Sequence, residues 1–238
     1  MNLFDLGFIP GPNESQEAFE QRVKESTPQA TISVFGLNPN WIPLIYSNQS
    51  LAPWEGGCAW ILDGKVALQL RKALEKRETY LGIVSKRELL EHEAVHAMRV
   101  AFEEPRFEEV LAYQTAKSRY RRFFGPFFRS PRESLLFLSC MLLFPLTLPF
   151  PVLQLPFASL LTLITGYGFL RLMWTQRTFE AAKNNLAELT ENPLALMLHL
   201  TDREIERFAA SRPEEIRDFI ARARCLRFEQ IRSAIRGE

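Results

Sequence analysis

Two of the chain's three histidines, His92 and His96, lie four residues apart in the stretch LLEHEAVHAM, and Glu93 follows the first directly. In a helix, residues i and i+4 project from one face. The two imidazoles can therefore serve one cation, with Glu93 beside them where it can hold a metal-bound water. Zinc suits neutral imidazole and lowers the pKa of its bound water to about 7, giving a hydroxide nucleophile at neutral pH. The spacer residues Ala94 and Val95 and the flanking Leu89, Leu90, Ala97 and Met98 are uncharged. That suits a helix buried on all but its metal face. The plain alternative is a pair of partly exposed helix histidines with no ligand.

The elements that must position this pair are legible nearby. Ser85 and Glu88 have capping-box spacing, so a helix should open at Ser85 and run to about Phe102. Pro105 stops it and can enter the first turn of the next, RFEEVLAYQTAKSRYRRFF, read as one helix. After so short a turn the second helix must fold back, which brings one of its glutamates near the histidines as a third ligand. Upstream, CAWILDGKVALQLRKAL reads as a hairpin turning at Asp63-Gly64. Its second arm also fits a helical period. The edge of such a hairpin can receive a peptide by strand addition. Earlier still, the first dozen residues read as an extended arm. ESQEAFEQRVKES reads as a helix capped by Asn13 or Ser15, and ATISVFGLNPNWIPLIYSN as short strands broken by Gly and Pro.

From Ser85 to about Tyr120, with the upstream strand, the chain resembles the gluzincin metallopeptidases. There HExxH is followed on a later helix by a glutamate ligand in an ExxA or ExxS context. Glu109-Val-Leu-Ala112 fits that frame; Glu108 does not, because position 111 is leucine. The resemblance implies that His92, His96 and Glu109 bind Zn2+, that Glu93 is general base and then acid, and that the substrate is a peptide or protein. It also implies a histidine or tyrosine beyond the third ligand as oxyanion stabiliser, for which Tyr113, Tyr120 and His199 are eligible. Tyr113 can instead orient a zinc ligand. His199, in ALMLHLTD, reads equally as a packed core histidine.

A formal charge of +1 over 238 residues argues against nucleic acid as the partner, since phosphate binding needs a basic excess. The three cysteines are far apart and form no CxxC pair, so they are not a disulfide framework. The first residues carry an acid and no base ahead of a short apolar patch, unlike a signal peptide. The charge is strongly segregated. Residues 134–170 include no Asp, Glu, Lys, Arg or His. One helix over that run would be about 55 Å long, against a hydrocarbon core of about 30 Å. Two spans are therefore expected, with the bend between Pro145 and Pro156. A hairpin dipping into one leaflet and an arm buried in an oligomer are the alternatives.

Lys117, Arg119, Arg121, Arg122, Arg129 and Arg132 precede the run, and Arg171, Arg177 and Lys183 follow it. Basic flanks on both sides place both ends in the cytoplasm. Lys86, Arg87, Glu88, Glu91 and Arg99 surround the motif helix, so it lies outside the lipid, unlike the motif helix of an intramembrane site-two protease. The tail reads as about three helices, divided at Asn192-Pro193 and Arg212-Pro213.

The expected fold is α+β and mostly helical, with segments 1–30 (arm and helix), 31–124 (metallopeptidase-like), 125–174 (membrane hairpin) and 175–238 (helical cytoplasmic tail). The expected function is a membrane-anchored zinc metallopeptidase of the cytoplasmic membrane, acting on membrane-associated protein. The competing expectation is a non-catalytic membrane scaffold with a structural metal site. In either case the C-terminal helices can join copies into a homo-oligomer.

Overall fold

A computed structural model describes residues 2–26, 32–52, 55–62 and 65–236. The fold is α+β and mostly helical. The N-terminal arm is not extended: the Phe8 amide donates to the Leu3 carbonyl at 3.1 Å, coiling the chain so that Phe4, Phe8 and Ile9 enter the core. Helix α1, Gln16–Lys24, is capped by Ser15, whose hydroxyl accepts the Ala18 amide at 3.2 Å. Asn13 plays no part in that cap.

Three strands follow, β1 (Leu44–Tyr46), β2 (Gly57–Leu62) and β3 (Lys65–Leu70), in the spatial order β1-β3-β2. β2 and β3 are antiparallel with Leu62 opposite Lys65, as the hairpin reading requires; the Asp63-Gly64 turn itself lies outside the described residues. β3 does not begin a helix. It is the central strand, with Leu68 and Leu70 fully buried, and only a short 3-10 turn, Lys72–Glu75, follows it. Among its described residues, the stretch before β1 contributes only an isolated bridge between Val34 and Leu37, since Pro39 and Pro43 interrupt pairing. A second, small hairpin, β4 (Thr79–Tyr80) with β5 (Val84–Ser85), leads into the motif helix.

That helix, α2, is Lys86–Met98. Ser85 accepts the Glu88 amide at 3.1 Å, but the reciprocal half of the capping box does not form, because the Glu88 carboxylate takes Arg121 at 2.7 Å instead. α2 ends before Phe102. Arg99 leaves the helix and turns inward, donating to the carbonyls of Leu198 at 2.6 Å and Leu200 at 3.0 Å. Pro105 opens α3, Pro105–Tyr113, which folds back on α2. The expected single helix to Phe124 is broken: α4 is Arg119–Phe124. At the break the Thr115 hydroxyl donates to the Ala112 carbonyl at 2.7 Å, giving the backbone an alternative to helical pairing.

The apolar run forms α5 (Pro131–Leu143), a 3-10 turn (Phe144–Thr147) and α6 (Pro151–Ala187). The bend lies at 144–150. Pro156 sits inside α6, not in the bend as expected. The two arms are unequal: 13 residues in α5 reach about 20 Å, short of a bilayer core, whereas the 37 of α6 exceed it. Among the described residues, α6 is the one helix long and apolar enough to cross a membrane, and only 6% of its most apolar window is buried. The two basic flanks adjoin. Arg171 holds Glu133 through two contacts of 2.7 Å, and Arg129 reaches the Thr175 hydroxyl at 2.9 Å.

α6 continues without a break past residue 174, and its later residues Phe179, Ala182 and Leu186 are fully buried. They join a core made with Phe4, Val95, Met98, Phe107 and Leu111 and with the tail. The tail has four helices after α6, namely α7 (Pro193–Met197), α8 (Asp202–Ala210), α9 (Pro213–Arg222) and α10 (Leu226–Arg236). Segments 1–30, 31–124 and 175–238 thus contribute to one core. His199 is fully buried there, its ring stacked on Phe4 with centroids 4.8 Å apart.

Candidate metal centre

α2 presents His92 and His96 on one face, and the return of α3 brings Glu109 to them. The Nε2 atoms of the two histidines are 3.4 Å apart. Glu109 places Oε2 at 3.7 Å from His92 Nε2 and Oε1 at 3.6 Å from His96 Nε2. Tetrahedral bonds of about 2.0–2.2 Å put neighbouring donors about 3.3–3.6 Å apart. The two imidazoles stand at that separation, Glu109 turns a different oxygen toward each of them, and with one ligand atom from each residue the group lies within 4.8 Å and can hold a metal ion. The side chains of His92, His96 and Glu109 keep 17, 20 and 26% of their surface open, which leaves the fourth corner reachable from the cleft.

Each imidazole is held from behind. His96 Nδ1 lies 2.9 Å from the Glu108 carboxylate, so its Nε2 is aimed at the centre. A ring N–H of His92 donates to the Ala112 carbonyl, and the Tyr113 ring meets His92 edge-on, centroids 4.7 Å apart. Gly125 makes room for that tyrosine: a Cβ there would overlap the Tyr113 ring.

The electrostatics favour a cation. Burial, with the charges of His96 and Arg121, pushes His92 down to about 3. Burial would lower His96 too, but the Glu108 hydrogen bond and the charges of Glu109 and Glu93 outweigh it and raise the group to about 9. Burial, reinforced by Glu109 and Glu55, lifts Glu93 to about 7 against the opposing pull of His96 and the Ala59 amide. Burial also raises Glu109 and Tyr113. Three carboxyl groups thus face two imidazoles, and a dication bound at Nε2 would replace the proton that His96 otherwise carries.

The centre lies where two cavities of about 310 and 420 Å³ meet. Both are lined by His92, Glu93, Glu55 and Gly57; Tyr80, Ile83, Tyr113 and Arg121 bound the first, and Ala59, Glu103 and Glu108 the second. β2 is the outer strand of its sheet on this side. The Arg71 amide donates to the Gly56 carbonyl at 2.9 Å. By antiparallel alternation, the main-chain groups of Gly57 and Ala59 then point away from β3 and into the cleft. A Cβ on Gly56 would come within 2.8 Å of Leu89, so glycine allows β2 to lie close to α2.

His92, Glu93, His96, Glu109 and Tyr113 are therefore brought together. Tyr120 and His199 are not; Tyr120 is exposed against Phe124, and His199 is in the core. Reasoning from the sequence missed three participants: Glu108 as the group behind His96, the Ala59 amide beside Glu93, and the Glu88–Arg121 pair on the cleft wall. Glu108 carried a signal, being an acid that adjoins the candidate ligand Glu109. Arg121 carried none, since its sequence context marks only a basic stretch ahead of the apolar run. Comparison with protein-family models, curated proteins and solved structures gives no match.

Proposed function

We propose that the protein is a membrane-anchored zinc metallopeptidase of gluzincin type, in which His92, His96 and Glu109 hold Zn2+ and Glu93 is the general base. The observation that carries this reading is the convergence of two imidazoles and the Glu109 carboxylate, one donor atom from each within 4.8 Å of the others, beside an open cleft. When bound, zinc supplies Lewis acidity and lowers the pKa of its coordinated water. Glu93, beside the histidines but outside the donor set, accepts the proton that hydrolysis releases and returns it to the departing amine. The outer edge of β2 supports an extended peptide as substrate, because the main-chain groups of Gly57 and Ala59 point away from β3 into the cleft alongside Glu93. Tyr113 positions His92.

The exposed apolar stretch of α6 supports anchoring in a membrane. The basic flanks, joined through Arg171 and Glu133, support a cytoplasmic site and hence membrane-associated protein substrates. A scaffold with a structural metal would favour a closed four-ligand protein shell; among the described residues the group supplies three donors.

The test is metal analysis of detergent-purified protein together with hydrolysis of an unstructured casein-like chain. One zinc per chain, lost in His92→Ala along with activity, is expected. Full metal content in His92→Ala would sink the assignment.

A further inference from the structure

A third cavity, of about 420 Å³, opens where α4 meets α6 and shares no lining residue with the metal centre. Arg119, Arg122, Arg177 and Lys183 line it against a single acid, Glu180, which Lys183 already pairs at 2.5 Å. Arg122 is fixed in place by the carbonyls of Ala116 at 2.8 Å and Lys117 at 3.3 Å. The side chains of Arg119 and Arg177 make no hydrogen bond or ion pair with any described residue. The cavity is thus a cluster of cations with two guanidinium groups uncommitted.

Its apolar wall is equally specific. Phe123 and Met173, 39 and 41% exposed, lead onto the bare face of α6 at Leu170, Phe169 and Tyr167. Arg177 is seven residues from Leu170, about 10 Å along the helix. Cations therefore stand where the apolar stretch ends, with an oily path running from them toward that stretch. A ligand matching both halves has an anionic phosphate head and a hydrocarbon tail.

We propose that this cavity binds the headgroup of an anionic phospholipid, its phosphate between Arg119 and Arg177 and its acyl chains over Phe123 and Met173. The proposal rests on the reading that the apolar part of α6 is embedded in a bilayer. Such a lipid would seat α4 against α6, and α4 leads into Gly125, the residue beneath Tyr113 of the metal centre.

The test uses the full-length protein in neutral detergent, with native mass spectrometry reading retention of phosphatidylglycerol against phosphatidylcholine of the same chains. Wild type should prefer the anionic lipid. Each basic residue near an anionic headgroup shifts binding on the order of fivefold, so Arg119→Gln with Arg177→Gln should reduce the preference tenfold or more. The charge-matched pair Arg203→Gln with Arg224→Gln, exposed residues of the tail, should leave it unchanged. An unchanged preference in the first pair, or an equal loss in the second, overturns the proposal. So does displacement of the lipid by an equal concentration of inorganic phosphate or glycerol phosphate, which would make this a soluble-phosphate site. Alkaline carbonate extraction separates the two levels. Release of the wild type from membranes overturns the anchoring and the lipid site together, whereas retention without lipid preference sinks the lipid site alone.

Discussion

His96 stands between two neighbouring carboxylates with different tasks: its Nδ1 lies 2.9 Å from Glu108, and its Nε2 lies 3.6 Å from Glu109. Successive helical residues point about 100° apart, so one imidazole can be gripped from behind by the first acid and face the second across the metal position. Glu108→Ala should therefore weaken zinc binding about 10- to 100-fold without abolishing it. Glu109→Ala should have the larger effect. Competition with a chromophoric chelator ranks the two, and a reversed order would exchange the assignments.

Glu93→Gln should lower hydrolysis by about 10² to 10⁴ while zinc stays bound, because a carboxamide cannot accept a proton. Loss of zinc from this variant would identify Glu93 as a ligand. Wild-type turnover would place the chemistry elsewhere.

Gly125 has ordinary helical angles, φ −53° and ψ −47°, so alanine is conformationally acceptable there. The added methyl nevertheless overlaps the Tyr113 ring, which rests against His92. Gly125→Ala should cost about 1–3 kcal/mol in unfolding experiments and should weaken zinc binding as well. A loss of stability with unaltered metal affinity would show that Tyr113 does not position His92.

His199 titrates well below the usual value of 6.5, at about 4, chiefly because burial disfavours its charged form, with Arg227 and Arg99 adding repulsion. Above pH 6.5 the ring is neutral in folded and unfolded chains alike, and stability does not depend on it. Below 6.5 the unfolded chain takes up a proton that the folded ring refuses until about 4, so stability falls across that interval by about 3 kcal/mol. Urea unfolding of His199→Leu should lack this component of the slope between pH 6.5 and 4. An identical slope in both proteins would rule out His199 as its source.

The contacts from Arg171 to Glu133 and from Arg129 to Thr175 put both basic flanks at one end of the α5–α6 hairpin. An impermeant maleimide added to intact cells should therefore miss Tyr120→Cys and Glu180→Cys alike. Labelling of either would reverse the topology.

Much of the site was legible without coordinates because the information is local. Helical periodicity puts His92 and His96 on one face, the Ser85 hydroxyl caps its own helix, and Pro105 forces a prompt return. The strand pairing around Asp63-Gly64 depends on residues close in sequence, and the proline-rich bend follows from a missing amide. Each acts over a few residues, where backbone geometry leaves few choices.

Tertiary structure decided what depends on distant partners. Glu88 looked like half of a capping box, but Arg121, 33 residues on, offered its carboxylate a charged hydrogen bond. Arg99 belonged to a helical pattern, yet the carbonyls of Leu198 and Leu200, about a hundred residues away, drew it out of the helix and locked the tail beneath the metal centre. The tail looked like a separate appendage because its amphipathic pattern records that one face must be buried, not against what. Only the packed core, where Phe179 and Phe208 share one cluster with residues of α2 and α3, supplies that partner, since burial is non-directional and many surfaces satisfy it equally in sequence alone.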